Sequence, residues 1–468
     1  MSTSRRHRLL AAGCMLIAGC TLLAGCSGSP EPAAAPTSSS PPASPAESAT
    51  PTTAVPLTLR FQVYGGPSEL ASYQRLADVY EERHGEVTIE VRTVPSADRA
   101  AAVLDAQFAA GEAPDVFLLD RDRLARFVSE ERLTPVDQLL EQRDVLFGDN
   151  YQRLGLEAFS ADSALQCMPH DVSPLVLYYN TELVQFPEPP VAEEGEEGED
   201  GEDPEDVPSV EDGWTWEQFA ETAQQVARPG VDAFYFDPSL ENVAALVRSA
   251  GDDIADDPRN PTTLTLSAEG PREALWTVLD TLRRPGLSPS PAQLRRADAV
   301  TRFGEGRLAM LVGTRALLPR LRAVSGLAFD VFPLPNLGRY RSVTSLSGYC
   351  IASSSADVEA AADFLAFASS PEGSRITALS GAVVPENLAV LHSSAFTQPE
   401  RQPEHADVFA EAVRRSEPMP YAVAWMEVRR AVEPLLERAL TDPDADVDRL
   451  LIRVDRRSAR ILAPPGAD

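Results

Sequence analysis

From Leu57 to Val63 apolar and polar residues alternate, the period of a strand with one buried face, and Tyr64-Gly65-Gly66-Pro67 breaks it. Leu70, Tyr73, Leu76, Ala77 and Tyr80 then recur at helical spacing, and His84-Gly85 supplies the stop. Val87, Ile89 and Val91 alternate as a second strand. Asp98–Ala110 reads as an Ala-rich helix ended by Gly111, and Pro114–Leu119 as a strand apolar on both faces. The order β-α-β-α-β predicts a parallel sheet with right-handed crossovers, whose ligands gather beyond the carboxyl ends of the strands. Those ends are Tyr64-Gly65-Gly66 and Asp120–Arg123.

Further on, two prolines bracket a strand onset in Cys167–Asn180, followed by an apolar strand through Leu175–Tyr179. Trp214-Thr215-Trp216-Glu217 opens an amphipathic helix, Phe234-Tyr235-Phe236 follows, and Leu240–Ala250 is helical before Gly251-Asp252. Phe303–Gly313 reads as a helix end and then a buried strand, Ser347–Ala352 as a short strand, and Val358–Ala368 as a helix. The last hundred residues are mostly helical, Trp425–Leu440 included.

The amino terminus has a different character. Arg5, Arg6, His7 and Arg8 precede an apolar run and then Leu23-Ala24-Gly25-Cys26, the layout of an export signal spanning 1–25. The cysteine after Leu-Ala-Gly resembles the acceptor of bacterial lipoprotein processing, in which the thiol is acylated and holds the mature protein on a membrane. Ile17-Ala18-Gly19-Cys20 is an earlier match. Cys26 is preferred because cutting at Cys20 leaves Thr21-Leu22-Leu23 apolar at the new terminus. Residues 26–56 carry eight prolines among Ser, Ala and Thr, a disordered tether able to reach roughly 90 Å at polyproline II rise.

The apolar fraction of 43% is that of a globular chain, and the residues after the tether suffice for two cores. All 41 basic residues are Arg, so a phosphate loop ending in Gly-Lys and any lysine nucleophile are excluded. The net charge is −30, with thirteen acids and no base between Glu188 and Asp212, which predicts a disordered acidic insertion over 188–212. The remainder is acidic too, which argues against nucleic acid as a partner. No Gly-x-Ser-x-Gly, Cys-x-x-Cys or His-Glu-x-x-His occurs, and no cofactor motif. Asp442–Asp448 starts like a calcium loop but has Val447 where the sharp-turn Gly belongs, so no metal site is expected. Beyond the signal and Cys26 two cysteines remain, Cys167 and Cys350, which an exported chain either bonds or buries as thiols.

These landmarks resemble, in order and spacing, the extracellular solute-binding proteins of ABC importers, in particular the carbohydrate-binding, maltose-binding-like group. They are Tyr64-Gly65-Gly66, Gly111–Val116, Pro169–Asn180, Trp214–Glu217, Gly304–Met310, Ser347–Tyr349 and Phe364–Gly373. The resemblance implies an α/β, two-lobe periplasmic-binding-protein-like fold of type II topology that closes over a small solute. It divides the chain into a first lobe from 57–168 and 348–400, a second from 169–347, and C-terminal helices over 401–468, mainly on the second. Cys167–Asp171 and Gly348–Ile351 then become crossings at the hinge, which favours a Cys167–Cys350 disulfide.

Sugar sites combine flat aromatic faces with planar Arg and carboxylate groups for paired hydroxyls. By resemblance Trp425 is a stacking ring, the alternative being a core Trp, and Asp122 and Arg123 are a hydroxyl-binding pair. Tyr64, Gly65 and Gly66 lie at the first strand's exit. Ser173 matches a hinge contact where relatives often carry a carboxylate, and Tyr235 is a second candidate stacker. Arg315 stands where many sugar binders carry an aromatic, which admits an acidic or phosphorylated sugar. The expected partners are a sugar-like solute, ABC permease subunits and a membrane reached through the lipid anchor. The expected state is a monomer exported to the outer face of the cell membrane. Asp122 and Glu427 are the carboxylates available to the alternative of a surface glycosidase, and the acidic insertion to that of a tethered sensor or adhesion module.

Overall fold

The computed structural model describes residues 57–185 and 213–463, all of them within the unit Ala54–Asp468. The export signal, the tether with Cys26 and the acidic insertion lie outside the described residues.

β1 (Leu57–Tyr64), β2 (Val87–Val94) and β3 (Val116–Asp120) are parallel, as the β-α-β-α-β order predicts, and lie in the order β3-β1-β2. Helices Pro67–Glu81 and Ala97–Ala110 make the crossovers. Pro67 sits in a first turn, where its missing N–H costs nothing, and Gly111 ends the second helix in the left-handed region. Short strands β4 (Leu133–Thr134), β5 (Ser160–Ala161) and β6 (Ala164–Leu165) follow. β7 (Met168–Pro174) then joins the first sheet, and β8 (Val176–Asn180) starts a second. With β9 (Asp232–Tyr235), β10 (Leu308–Gly313) and β11 (Phe329–Phe332), β8 forms the order β11-β8-β10-β9. β12 (Ser342–Ala352) returns to the first sheet, antiparallel to β3, β4 and β7, and β13 (Ser416–Glu417) lies parallel beside its start. The result is a two-lobe α/β fold with one main sheet in each lobe and a separate two-stranded β5-β6 pair.

The crossings differ from expectation. β7 and β12 pair with each other inside the first sheet, so the chain changes lobe at Leu175 and again between Phe332 and Ser342, not at 168/169 and 347/348. β12 is eleven residues long rather than short. Of its polar residues Ser342 and Thr344 are buried with their hydroxyls on carbonyls, Ser342 Oγ at Leu175 O (2.7 Å), while Ser345 is exposed. A third crossing runs from β13 into helix Trp425–Thr441, which packs on second-lobe helices Leu240–Ala250 and Glu269–Arg283 while its start touches Arg121–Arg123 of the first lobe. Helix Val447–Leu462 packs along it. Helix Asp407–Arg414 instead lies over β7, β8 and β12, at the hinge.

A disulfide joins Cys167, just before β7, to Cys350 on β12, with Cα atoms 4.4 Å apart and both side chains fully buried. It ties the two hinge strands together at their first-lobe ends, not at the crossings themselves.

Candidate functional site

At the exit of β1, Gly65 takes φ +146°, and a Cβ there would lie 2.8 Å from the Glu69 carboxyl. Only glycine fits, because that carboxylate turns back to accept the Gly66 N–H (2.7 Å). Burial raises the Glu69 pKa. Burial, with Asp120 and Asp171 near, also holds the Tyr64 phenol well above its ordinary range. At the exit of β3, Asp120 accepts the Asp122 N–H (2.9 Å) and opens a short turn. Burial and the neighbouring Asp122 push the Asp120 carboxyl up to about 6, although Arg123 and Arg429 oppose the shift. The buried Arg123 side chain pairs with Asp98 and lies 3.5 Å from Met426 Sδ.

Arg429, one turn into helix Trp425–Thr441, faces this edge from the other lobe. Its guanidinium meets Asp122 of the first lobe (3.3 Å), Glu241 of the second (2.7 Å) and Glu433 on its own helix (3.2 Å). One planar cation thus links carboxylates on both lobes. Burial lifts Glu241 to about 7, against the pull of Arg429. Around this bridge lies an open cavity of about 670 Å³, lined among others by Asp98, Asp120, Asp122, Arg123, Met426 and Arg429. The third crossing is clamped from both sides. Arg121 donates to Met419 O (2.6 Å) and Pro420 O (3.2 Å) from the first lobe, and Arg248 to Glu417 O (3.2 Å) and Pro418 O (3.1 Å) from the second.

On the second lobe a void of about 350 Å³ sits at the carboxyl ends of β9 and β10, with Tyr235, Asp237 and Thr314 in its wall. Tyr235 donates to Asp237 Oδ1 (3.2 Å). At the hinge, Asp171 accepts Ser173 Oγ (2.7 Å) and Val384 N–H (2.8 Å), yet burial still pushes its carboxyl up to about 7. Glu386 is buried with neither carboxylate oxygen hydrogen-bonded among the described residues, and burial keeps its pKa well above the usual range. Among the described residues no group of three or more His, Cys, Asp or Glu side chains is placed to hold a metal ion.

Residues 75–404 match the family described as bacterial extracellular solute-binding protein. The chain belongs to this family. Several solved structures share the fold of this solute-binding protein. An ABC substrate-binding protein of Listeria monocytogenes in complex with cycloalternan superposes with TM-score 0.74 at 17% identity, over 86% of this chain and 98% of that one. The GacH receptor of Streptomyces glaucescens, solved unliganded and with acarbose, gives 0.70 at 18%, over 86% and 98%. A maltotriose binding protein of Thermus thermophilus bound with maltotriose gives 0.68 at 19%, over 86% and 100%. No curated protein matches the chain.

Of the residues singled out in the sequence, this solute-binding protein brings Asp122 and Arg123 together in the larger cavity. Tyr235 lines the second-lobe void, while Tyr64, Gly65 and Gly66 shape the exit of β1. Three expectations need correction. Trp425 opens its helix with the ring fully buried and Nε1 unpaired among the described residues, so as folded it offers no face to a solute. Ser173 is buried and spends its hydroxyl on Asp171. Arg315 neither reaches the cavity nor forms a surface ion pair. Its guanidinium lies fully buried over the Phe396 ring (4.1 Å), near Phe409 (5.0 Å), with Nη2 donating to Phe396 O (2.6 Å). Burial lowers its pKa to about 9, and its Nε and Nη1 have no partner among the described residues. His170 is a core residue: its Nε2 lies 3.0 Å from the Tyr73 hydroxyl, and burial takes its pKa to about 3.

Sequence reasoning placed Asp120 at the exit of the third strand without giving it a role, and missed Glu241 and Arg429. The first adjoins the Asp-Arg pair at a strand's carboxyl end and was within reach. The other two belong to ordinary amphipathic helices, and only the tertiary fold sets them opposite Asp122.

Proposed function

We propose that the protein captures a carbohydrate-type solute between its lobes and delivers it to an ABC importer, working as a monomer held at the outer face of the cell membrane by acyl chains on Cys26. The observation that carries this reading is the interlobe cavity in which Asp122, Arg123 and Arg429 present planar polar groups from two lobes. Such groups match vicinal hydroxyls in paired hydrogen bonds. The cycloalternan, acarbose and maltotriose complexes of proteins with the same fold support the solute class. With Arg315 withdrawn into the hinge and carboxylates prominent in the lining, the cavity favours a neutral or amine-bearing sugar over an acidic or phosphorylated one. Capture rather than hydrolysis fits Asp122, which is tied to Arg429 instead of standing free for proton transfer. Solute drives closure only by binding the closed lobes more tightly than the open ones.

A thermal-shift screen over neutral oligosaccharides, uronates and sugar phosphates tests the reading. A ligand at a hundred times its Kd adds about 2.7 kcal/mol of stability, a clear rise in melting temperature. Neutral sugars are expected to produce it, and a response confined to uronates or phosphates would overturn the solute class. Metabolic labelling with palmitate, lost in Cys26→Ala, tests the anchor.

A further inference from the structure

The last helix, Val447–Leu462, buries Val447, Leu450, Leu451 and Val454 and turns a row of arginines outward. Arg449, Arg453, Arg456 and Arg460 recur at steps of four, three and four, with Arg457 beside them. All five therefore lie within an arc of roughly 140° at 3.6 residues per turn. Each is exposed, and none forms an ion pair among the described residues. The nearby acids are engaged elsewhere. Asp446 accepts the Arg449 N–H at the helix start (3.0 Å), Asp448 accepts Trp276 Nε1 (3.1 Å), and Asp455 accepts the Leu266 and Ser267 N–H groups (2.9 and 2.8 Å). Positive charge is thus gathered on one face of a chain whose net charge is −30.

Apolar surface adjoins this row. Ile452, among the arginines, is 40% exposed, and Trp276 on helix Glu269–Arg283 is 47% exposed beside Asp448, one turn before Ile452. At the other end an open groove of about 800 Å³ separates this helix from Trp425–Thr441, lined by Arg430, Arg457, Arg460 and Ile461. Glu427 lines that groove, and Glu269 lines the hollow beside Ile452, so the two carboxylates flank the basic face. Guanidinium groups pair with phosphate oxygens two at a time, and exposed Ile and Trp beside them suit the headgroup boundary of a bilayer. The acidity of the remaining chain is largely screened beyond about 8 Å at physiological ionic strength. We propose that the outer face of helix Val447–Leu462 docks on a bilayer rich in anionic phospholipid. The proposal rests on the reading of a membrane-held protein only for the tether, which keeps this face close to the bilayer. Glu427 and Arg430 line both the groove and the interlobe cavity, so docking brings that rim of the solute site to the membrane.

Tryptophan fluorescence of the full chain, mixed with vesicles whose acyl chains are brominated, tests the assignment. The vesicles are phosphatidylcholine alone or phosphatidylcholine with phosphatidylglycerol. Every sample carries Cys26→Ala, so the result is independent of the acyl anchor that palmitate labelling tests. Trp214, Trp216 and Trp425 are buried, so quenching by bromine reads Trp276. Quenching is expected with the anionic vesicles at about 0.15 M salt and is expected to vanish at about 1 M, where the screening length falls to about 3 Å. Joint replacement of Arg453, Arg456 and Arg460 by Gln is expected to raise the half-quenching lipid concentration about a hundredfold, at about fivefold per arginine, with the melting temperature kept. Arg449→Gln with Arg457→Gln, expected to give about twenty-five-fold, takes its place if the triple variant fails to fold. Equal quenching in the two kinds of vesicle, or quenching unmoved in a folded variant, would overturn the proposal. Binding of polyglutamate without any quenching by anionic vesicles would overturn it too, and assign the face to an acidic protein.

Discussion

Replacing Arg429 by Met removes a cation that touches carboxylates of both lobes while keeping most of the side-chain volume. Glu241, at 2.7 Å, and Asp122, at 3.3 Å, are 16% and 14% exposed, so neither can recover full hydration. Charge-assisted hydrogen bonds of this kind contribute about 1.5–3 kcal/mol each. Removing one partner of a buried pair costs ~3–5 kcal/mol, reduced here because Glu241 can take up a proton instead of remaining a bare charge. The net loss at pH 8 is therefore about 2–4 kcal/mol. The pH dependence follows from the Glu241 carboxyl, whose folded pKa stands near 7 against an ordinary 4.5. A raised carboxyl favours the folded state below its unfolded pKa and loses that contribution as pH climbs through the folded one. At pH 5 Glu241 already holds its proton in parent and variant alike. The Asp122 and Glu433 contacts are then the charged ones still lost, and the loss shrinks to about 1–2 kcal/mol. Urea unfolding followed by tryptophan fluorescence at pH 5 and pH 8 measures both numbers. Equal losses at the two pH values, or none at pH 8, would refute the bridge as described.

Arg315→Met exchanges a buried guanidinium with two unsatisfied nitrogens for an apolar chain, so stability at pH 7 should change by no more than ~1 kcal/mol and sugar affinity not at all; a fall in affinity by calorimetry would return Arg315 to the site. Joint replacement of Cys167 and Cys350 by Ala opens a link across 183 positions and should cost about 2–5 kcal/mol in urea unfolding; undiminished stability would deny the link any structural weight. Asp171 has its folded pKa raised from 3.8 to about 7, so its favourable contribution is present below about pH 4 and lost as pH rises through 7. Asp171→Asn, which keeps an acceptor for Ser173 and Val384, should flatten the decline in stability across that window by roughly 2–4 kcal/mol, and an unchanged pH slope would contradict the burial argument.

Local pattern carried much of the fold. Alternation in Leu57–Val63 and Val87–Val91, helical spacing after Pro67 and the apolar run ending at Leu119 gave the parallel sheet and put Asp122-Arg123 at its carboxyl edge. Long-range pairing did not show in the same way. β7 and β12 run antiparallel before either leaves the first lobe, and nothing in Pro169–Pro174 distinguishes a strand at a crossing from one that reaches it six residues later. Arg315 follows Gly313-Thr314, which reads as an exposed turn. The rings that cover it, Phe396 and Phe409, come from a part of the chain some eighty residues away. Trp425 and Arg429 share one helix, and its sequence shows which residues lie on one face but not which lobe that face meets. Charge partners across a cleft are set by tertiary geometry, and Arg429 became visible only when Asp122 and Glu241 stood on either side of it.

A crystal structure of the protein grown with the neutral sugar that raises its melting temperature most tests the central claim directly. Sugar density is expected between the lobes, with hydroxyls on Asp122, Arg123 and Arg429 and contacts to both lobes. Sugar density on one lobe alone, away from Asp122 and Arg429, would contradict it.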